Sequence, residues 1–408
     1  MNYLRQSYIL SRVRVESIPS LSRLVHVSYY SFTTTTKTNN NNDRSSMQTM
    51  SKKDFRYSVD LVQNRDRESY LCGLLMPYNS RRSYFAIRAW NIELASIKDS
   101  NMHNRINSSS KQQESSTAGG GSGTDIALQV RMQWWREALD RIYTSDEIHN
   151  HNNKNLDNGT DPSPYGHFSI SDTLDASYFK NPIVRLLDYA VHQKKLTRRF
   201  LERLSEAREM DIHHQQPETV EEMIEHADNI VSSLLYLSLE TADVRDESAD
   251  VVAQYAGIGI GLITALRGVR IRLARGECPI PKEFFPQHYP YHKLTYTNNN
   301  IDFKTDDIFP TTSNDGKQDM LNSKEREMLQ DAVERVCVLA YSHLLKAQNL
   351  QSDIPRHART CFLPVIPALH YLSKLENAKY DIFDERLLEH DNLKILALLA
   401  RTWLTGVF

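Results

Sequence analysis

Along most of this chain apolar residues return every three to four positions and almost nowhere every second position. That period predicts helices and argues against a sheet. Tyr70–Met76 is a short apolar run stopped by Pro77. A helix is expected from a cap at Ser80, with Tyr84, Ile87 or Arg88, Asn91 and Leu94 at helical spacing. A second covers Ile126–Tyr143, with Val130, Trp134, Leu139 and Ile142 on its buried face. Asn181-Pro182 reads as an N-cap followed by proline at the first helical position. The helix it opens buries Val184, Leu187, Ala190, Thr197, Leu201 and Leu204. Thr219 with Glu222 forms a capping box for another, through Val220, Met223, Ala227, Ile230, Leu234 and Leu237. Two more are expected near 324–351 and 362–375. The last, Leu393 to Leu404, is apolar around much of its surface yet carries Lys394, Arg401 and Trp403. Core packing is its first assignment and contact with a membrane interface its second.

Between these patterns lie polar stretches that cannot bury a core. Three, at about 101–124, 145–178 and 296–318, are rich in Ser, Asn, Gly, Asp or Thr and are predicted to be disordered insertions. His149, His151, His213 and His214 have no carboxylate or cysteine at ligand spacing, so they read as solvated loop residues. The expected architecture is an all-α bundle over residues 60–408. Residues 1–50 precede it. Up to residue 42 they hold Arg5, Arg12, Arg14, Arg23 and Lys37 against the single acid Glu16, with many Ser and Thr, the balance of a mitochondrial presequence.

Composition adds little to this and removes some alternatives. A formal net charge of -2 over 408 residues gives no footprint for nucleic acid. The four cysteines, Cys72, Cys278, Cys337 and Cys361, are far apart, so neither a disulfide framework nor a zinc site is indicated. Val251–Leu266 is the most apolar stretch, but Gln254 and Thr264 interrupt it, and it is expected to be a core helix.

That stretch carries the candidate chemistry. Its apolar residues give way to Arg267, Arg270, Arg272 and Arg275, and Ile280-Pro281 closes the segment. Cations suit a helix C-terminus, so a salt-bridged helix end is the first assignment. Direct contact of Arg267, Arg270 and Arg272 with an anionic group is the second.

The ordered set of Ser80 to Trp90, Gln129 to Tyr143, Ala207 to Asp211 and Gly259 to Pro281 resembles the squalene/phytoene synthase family. The resemblance implies an isoprenoid-synthase-like helical bundle around a central cavity. In active members it implies two aspartate-rich helices that hold Mg²⁺ against prenyl diphosphates. Carboxylates at i and i+4 share a helix face and supply the hard oxygen ligands that magnesium needs. Here the first motif falls on Ala95 and Ser96, with only Asp99 acidic, and the second falls on Gly268 and Arg272. An arginine in place of a metal carboxylate repels the cation. The expectation is a pseudoenzyme, and no catalytic residue, metal ligand or cofactor is assigned to it.

Tyr70–Pro77, Arg82–Ser100, Ser232–Glu240 and Tyr380–Leu387 are most similar to a mitochondrial branch of that family that acts early in assembly of respiratory complex I. By that resemblance the partners are complex I subunits or assembly intermediates and the matrix face of the inner membrane. A hydrophobic or isoprenoid ligand is a further candidate. A prenyltransferase of altered chemistry and an isoprenoid- or lipid-binding protein are the alternatives.

Overall fold

The three-to-four-residue period is realised as twelve α-helices among the described residues. The computed structural model describes residues 42–109, 122–153, 175–213, 216–274, 277–286, 323–389 and 391–408. The helices are α1 (Asn42–Arg65), α2 (Arg67–Leu75), α3 (Tyr78–Ser109), α4 (Ser122–Asn153), α5 (Pro182–Lys194), α6 (Arg198–His213), α7 (Val220–Ala227), α8 (Ser233–Thr241), α9 (Glu247–Ala274), α10 (Ser323–Asn349), α11 (Val365–Asn377) and α12 (Asn392–Thr405). Residues 49–408 form one compact unit. No strand occurs among the described residues.

Several expected boundaries move. The helix expected from Ser80 begins at Tyr78 and continues to Ser109, and α4 runs on to Asn153. Parts of the first two polar stretches are therefore helical, while 110–121, 154–174 and 296–318 lie outside the described residues, as do 1–41. The helix expected from Pro182 to Leu204 is two helices. Lys195 takes a left-handed conformation (φ 51°), and Thr197 lies in the turn, with its N–H donating to Glu240 at 2.8 Å. The buried face of α4 also differs. Val130 is 61% exposed, and Leu128, Met132, Trp135, Ala138, Leu139 and Ile142 are buried. Trp135 decides this rotation by meeting Trp90 of α3 edge-on, with ring centroids 5.0 Å apart.

Of the three expected caps, Ser80 lies inside α3 and caps nothing, whereas Asn181 and Thr219 form theirs. The Asn181 side chain accepts from the Ile183 N–H at 2.8 Å. Thr219 Oγ1 accepts from Glu222 N–H at 3.3 Å, and Glu222 returns the bond to the N–H of Glu218 at 2.8 Å.

At the centre is α9, the apolar helix of the sequence, with α10, α11, α7 and α8 packed around it. By length and composition it is apolar enough to cross a membrane, but the bundle buries it from Ala249 to Leu273, the position of a core helix. Two of its glycines permit close crossings. A Cβ on Gly257 would stand 2.5 Å from Ser232 Cα, and one on Gly261 would stand 2.5 Å from Ala227 Cβ. Ser232 closes a π-helical turn, Asp228–Ser232, between α7 and α8.

Candidate functional site

The two segments singled out by their missing acids come together, and they do so without a carboxylate pair. On α3, Ala95 and Ser96 are partly buried, and Ser96 Oγ donates to the Ile92 carbonyl at 2.7 Å. The Asp99 side chain lies outside the described residues. One turn from Ala95, Lys98 Nζ reaches across to Glu277 Oε1 at 2.9 Å, with both side chains largely shielded from water. Glu277 lies three residues past the end of α9, so the ion pair ties the middle of α3 to the segment that leaves α9.

The segment after α9 is clamped from its other side. Gln216 Nε2 donates to the Ile280 carbonyl at 2.8 Å, and Lys282 N–H donates to the Pro217 carbonyl at 3.0 Å. Glu283 Oε1 accepts from Val220 N–H at 2.6 Å, and Lys282 pairs with Glu218. Pro281 thus turns the chain onto the start of α7.

Inside these contacts lies a polar cluster assembled from four helices. Asp211 on α6 accepts from Arg208 Nη1 at 3.1 Å, and His226 Nε2 of α7 lies 2.7 Å from its other oxygen. Arg208 Nη2 also donates to Asn91 Oδ1 on α3 at 3.0 Å. Burial alone would raise the Asp211 carboxyl pKa. The hydrogen bond and charge of His226, with the charges of Arg208 and Arg272, hold it well below the usual carboxylate range instead. Arg272 lies back along its own helix, and a Cβ on Gly268 would meet its Nε at 3.7 Å.

The other arginines have separate settings. Arg267 pairs with Glu68 of α2, donates from Nη2 to the Pro367 carbonyl of α11 at 2.8 Å, and lies over the Tyr371 ring at 4.8 Å. Its place is a three-helix joint outside the Asp211 cluster. Arg270 is partly buried on the same helix. Asp228, two residues after His226, faces elsewhere and pairs with Arg203 at 2.7 Å. Glu93 is half-buried beside α1, where burial pushes its carboxyl up against the opposing pull of Arg65. All four cysteines are free and buried.

These positions do not suit magnesium. Ala95 and Gly268 offer no donor, Ser96 is committed to its own helix, and Arg272 adds positive charge. Among the described residues no group of three or more His, Cys, Asp or Glu is placed to hold a metal. Lys98 had no visible signal in the sequence, because its partner lies in a distant segment. Asn91, Arg208, Asp211 and His226 lie in separate segments of the sequence, and only the packing of α3, α6 and α7 joins them.

Helices packed around a central apolar helix, with a partly buried polar cluster between them, form a bundle of the isoprenoid-synthase type. The chain belongs to the squalene/phytoene synthase family, whose model matches residues 62–394. The fold is similar to a squalene synthase of Alicyclobacillus acidocaldarius (12% identity, TM-score 0.54, covering 82% of this chain and 97% of that one). It is also similar to a dehydrosqualene synthase solved with a ligand (15% identity, TM-score 0.55, covering 88% of this chain and 99% of that one). In sequence, this chain is 27% identical over 347 residues to a protein of Rattus norvegicus named NADH dehydrogenase (ubiquinone) complex I, assembly factor 6, covering 85% of this chain and 81% of that one. A homologue of that name in Dictyostelium discoideum is 24% identical, covering 81% of this chain and 72% of that one.

Proposed function

We propose that this chain is a non-catalytic assembly factor for mitochondrial respiratory complex I. The names of its relatives supply the process. The observation that carries the non-catalytic part is the Lys98–Glu277 ion pair at 2.9 Å. It ties the α3 segment that follows Ala95 and Ser96 to the segment that leaves α9 after Arg272, the two places where the family resemblance expects carboxylates holding metal and diphosphate. With Arg272 beside Asp211 as well, the interior favours anions over divalent cations.

In this reading the family scaffold is kept for its stability and surface, and the partners are complex I subunits or assembly intermediates. The chain acts early, on the membrane arm, from the matrix side of the inner membrane, where the basic N-terminal segment directs it. Deleting the gene lowers assembled complex I on native gels and leaves a stalled membrane-arm intermediate. Full rescue by the wild-type sequence, with no diphosphate released from prenyl diphosphates and Mg²⁺ by the purified protein, is the expected result. Normal complex I content after deletion overturns the assembly reading, and metal-dependent turnover overturns the non-catalytic one.

A further inference from the structure

We infer that α12 is a preformed docking ridge for an anionic lipid surface. Helix α12 packs on α11 and α2 through Ile395, Leu399 and Thr402, which are buried. An amphipathic surface helix would be polar on the opposite face. This one is not. Leu393 and Leu404 are eleven residues apart, three helical turns, and so share one line with Ala397 and Ala400 between them. Leu393 is 81% exposed and Leu404 75%, and Val407 beyond the helix is 57% exposed.

The charges beside this line choose the occupant. Lys394 and Arg401 are exposed and stand seven residues apart along one flank of the stripe, and no acid occurs from Asn392 to Thr405. Trp403, 44% exposed, lies on the other flank. Apolar side chains with flanking cations and an indole make the pattern of a helix lying in the plane of a bilayer interface. A protein partner or a second copy of this chain would equally cover the leucines, but the one-sided basic flank adds attraction for anionic headgroups.

The ridge is also held rigid. Asp391, just ahead of α12, pairs with His370 at 2.8 Å and Lys374 at 3.3 Å. At the far end Gly406 (φ 67°) terminates the helix, and its carbonyl accepts from Arg359 at 3.1 Å. Phe408 stacks on Phe362 with centroids 5.2 Å apart. Little ordering is therefore left to be done on binding. The inference deepens the membrane placement proposed above, and its test involves no complex I, so either can fail alone.

The full chain is floated with vesicles of phosphatidylcholine, or of phosphatidylcholine mixed with phosphatidylglycerol. Flotation is expected with the mixed vesicles, weakened by salt. Lys394→Gln/Arg401→Gln should cut partitioning by about 30-fold. Leu393→Glu/Leu404→Glu should abolish it, while Val338→Glu, an exposed apolar site on α10, floats as the wild type does. Circular dichroism checks that each variant is folded. Unchanged flotation of the folded Leu393→Glu/Leu404→Glu variant overturns the inference. So does a wild-type dimer that this variant converts to monomer without any vesicle binding, which would give the face to a second copy.

Discussion

Lys98 and Glu277 stand 2.9 Å apart, each shielded by the bundle, one on α3 and the other just past α9. Removing one partner strands the other charge in a partly dry setting, which costs more than the pair itself contributes. Lys98→Met should lower stability by about 1–3 kcal/mol in urea unfolding. Adding Glu277→Gln should recover part of that loss. A double variant as destabilised as the sum of the two singles would show that the charges do not interact.

Arg267 joins three helices with one guanidinium, using Glu68, the Pro367 carbonyl and the Tyr371 ring. Lysine keeps the charge but loses the planar fork and the stacking. Arg267→Ala is expected to cost about 2–4 kcal/mol, and Arg267→Lys about half of that. A melt in which Lys and Ala are equivalent would assign the effect to geometry alone.

Asp211 gives a pH signature. Its folded pKa is depressed, so its contribution is present above the unfolded value near 3.9 and is lost as pH falls toward the folded one. The melting temperature of the wild type should fall steeply below about pH 4. Asp211→Asn should be less stable than wild type at neutral pH and show a shallower acid limb. Parallel curves for the two proteins would remove Asp211 from the acid response.

The glycines of α9 separate packing from propensity. Gly257→Ala forces a Cβ to 2.5 Å from Ser232 Cα, a clash with backbone, and should cost about 2–3 kcal/mol. At Gly268 the nearest atom is the flexible end of Arg272 at 3.7 Å. Gly268→Ala should therefore stabilise by about 0.5–1 kcal/mol through helix propensity. Thermal melts of the two variants should move in opposite directions.

The helical period, the caps at Asn181 and Thr219 (though not the one expected at Ser80) and the core position of α9 were readable from residue order because each is decided within a few neighbours. Asn181 needs only the N–H of Ile183, and Thr219 needs only Glu222. What escaped depended on distant partners. The rotation of α4, burying Leu128 rather than Val130, follows from Trp90 meeting Trp135. Lys195 breaks the helix expected from Pro182 with a left-handed residue that local propensity does not announce. At the site, the absence of acids at Ala95, Ser96, Gly268 and Arg272 was legible. The Lys98–Glu277 pair that spans the gap was not, since nothing local links residues so far apart in the chain.

The π turn at Asp228–Ser232 sets the angular phase of α7 relative to α8. Its wide turn holds one residue more than an α-helical turn, so α7 is rotated by about 100° from where a regular helix would put it. With that rotation, Ala227 meets Gly261 and His226 reaches Asp211. Deleting Asn229 would restore a regular helix and swing both residues off their partners while α8 stays seated. The polar interior is thus tuned by a single inserted residue, and a change in chain length at this turn would reset it in a way that no side-chain substitution could.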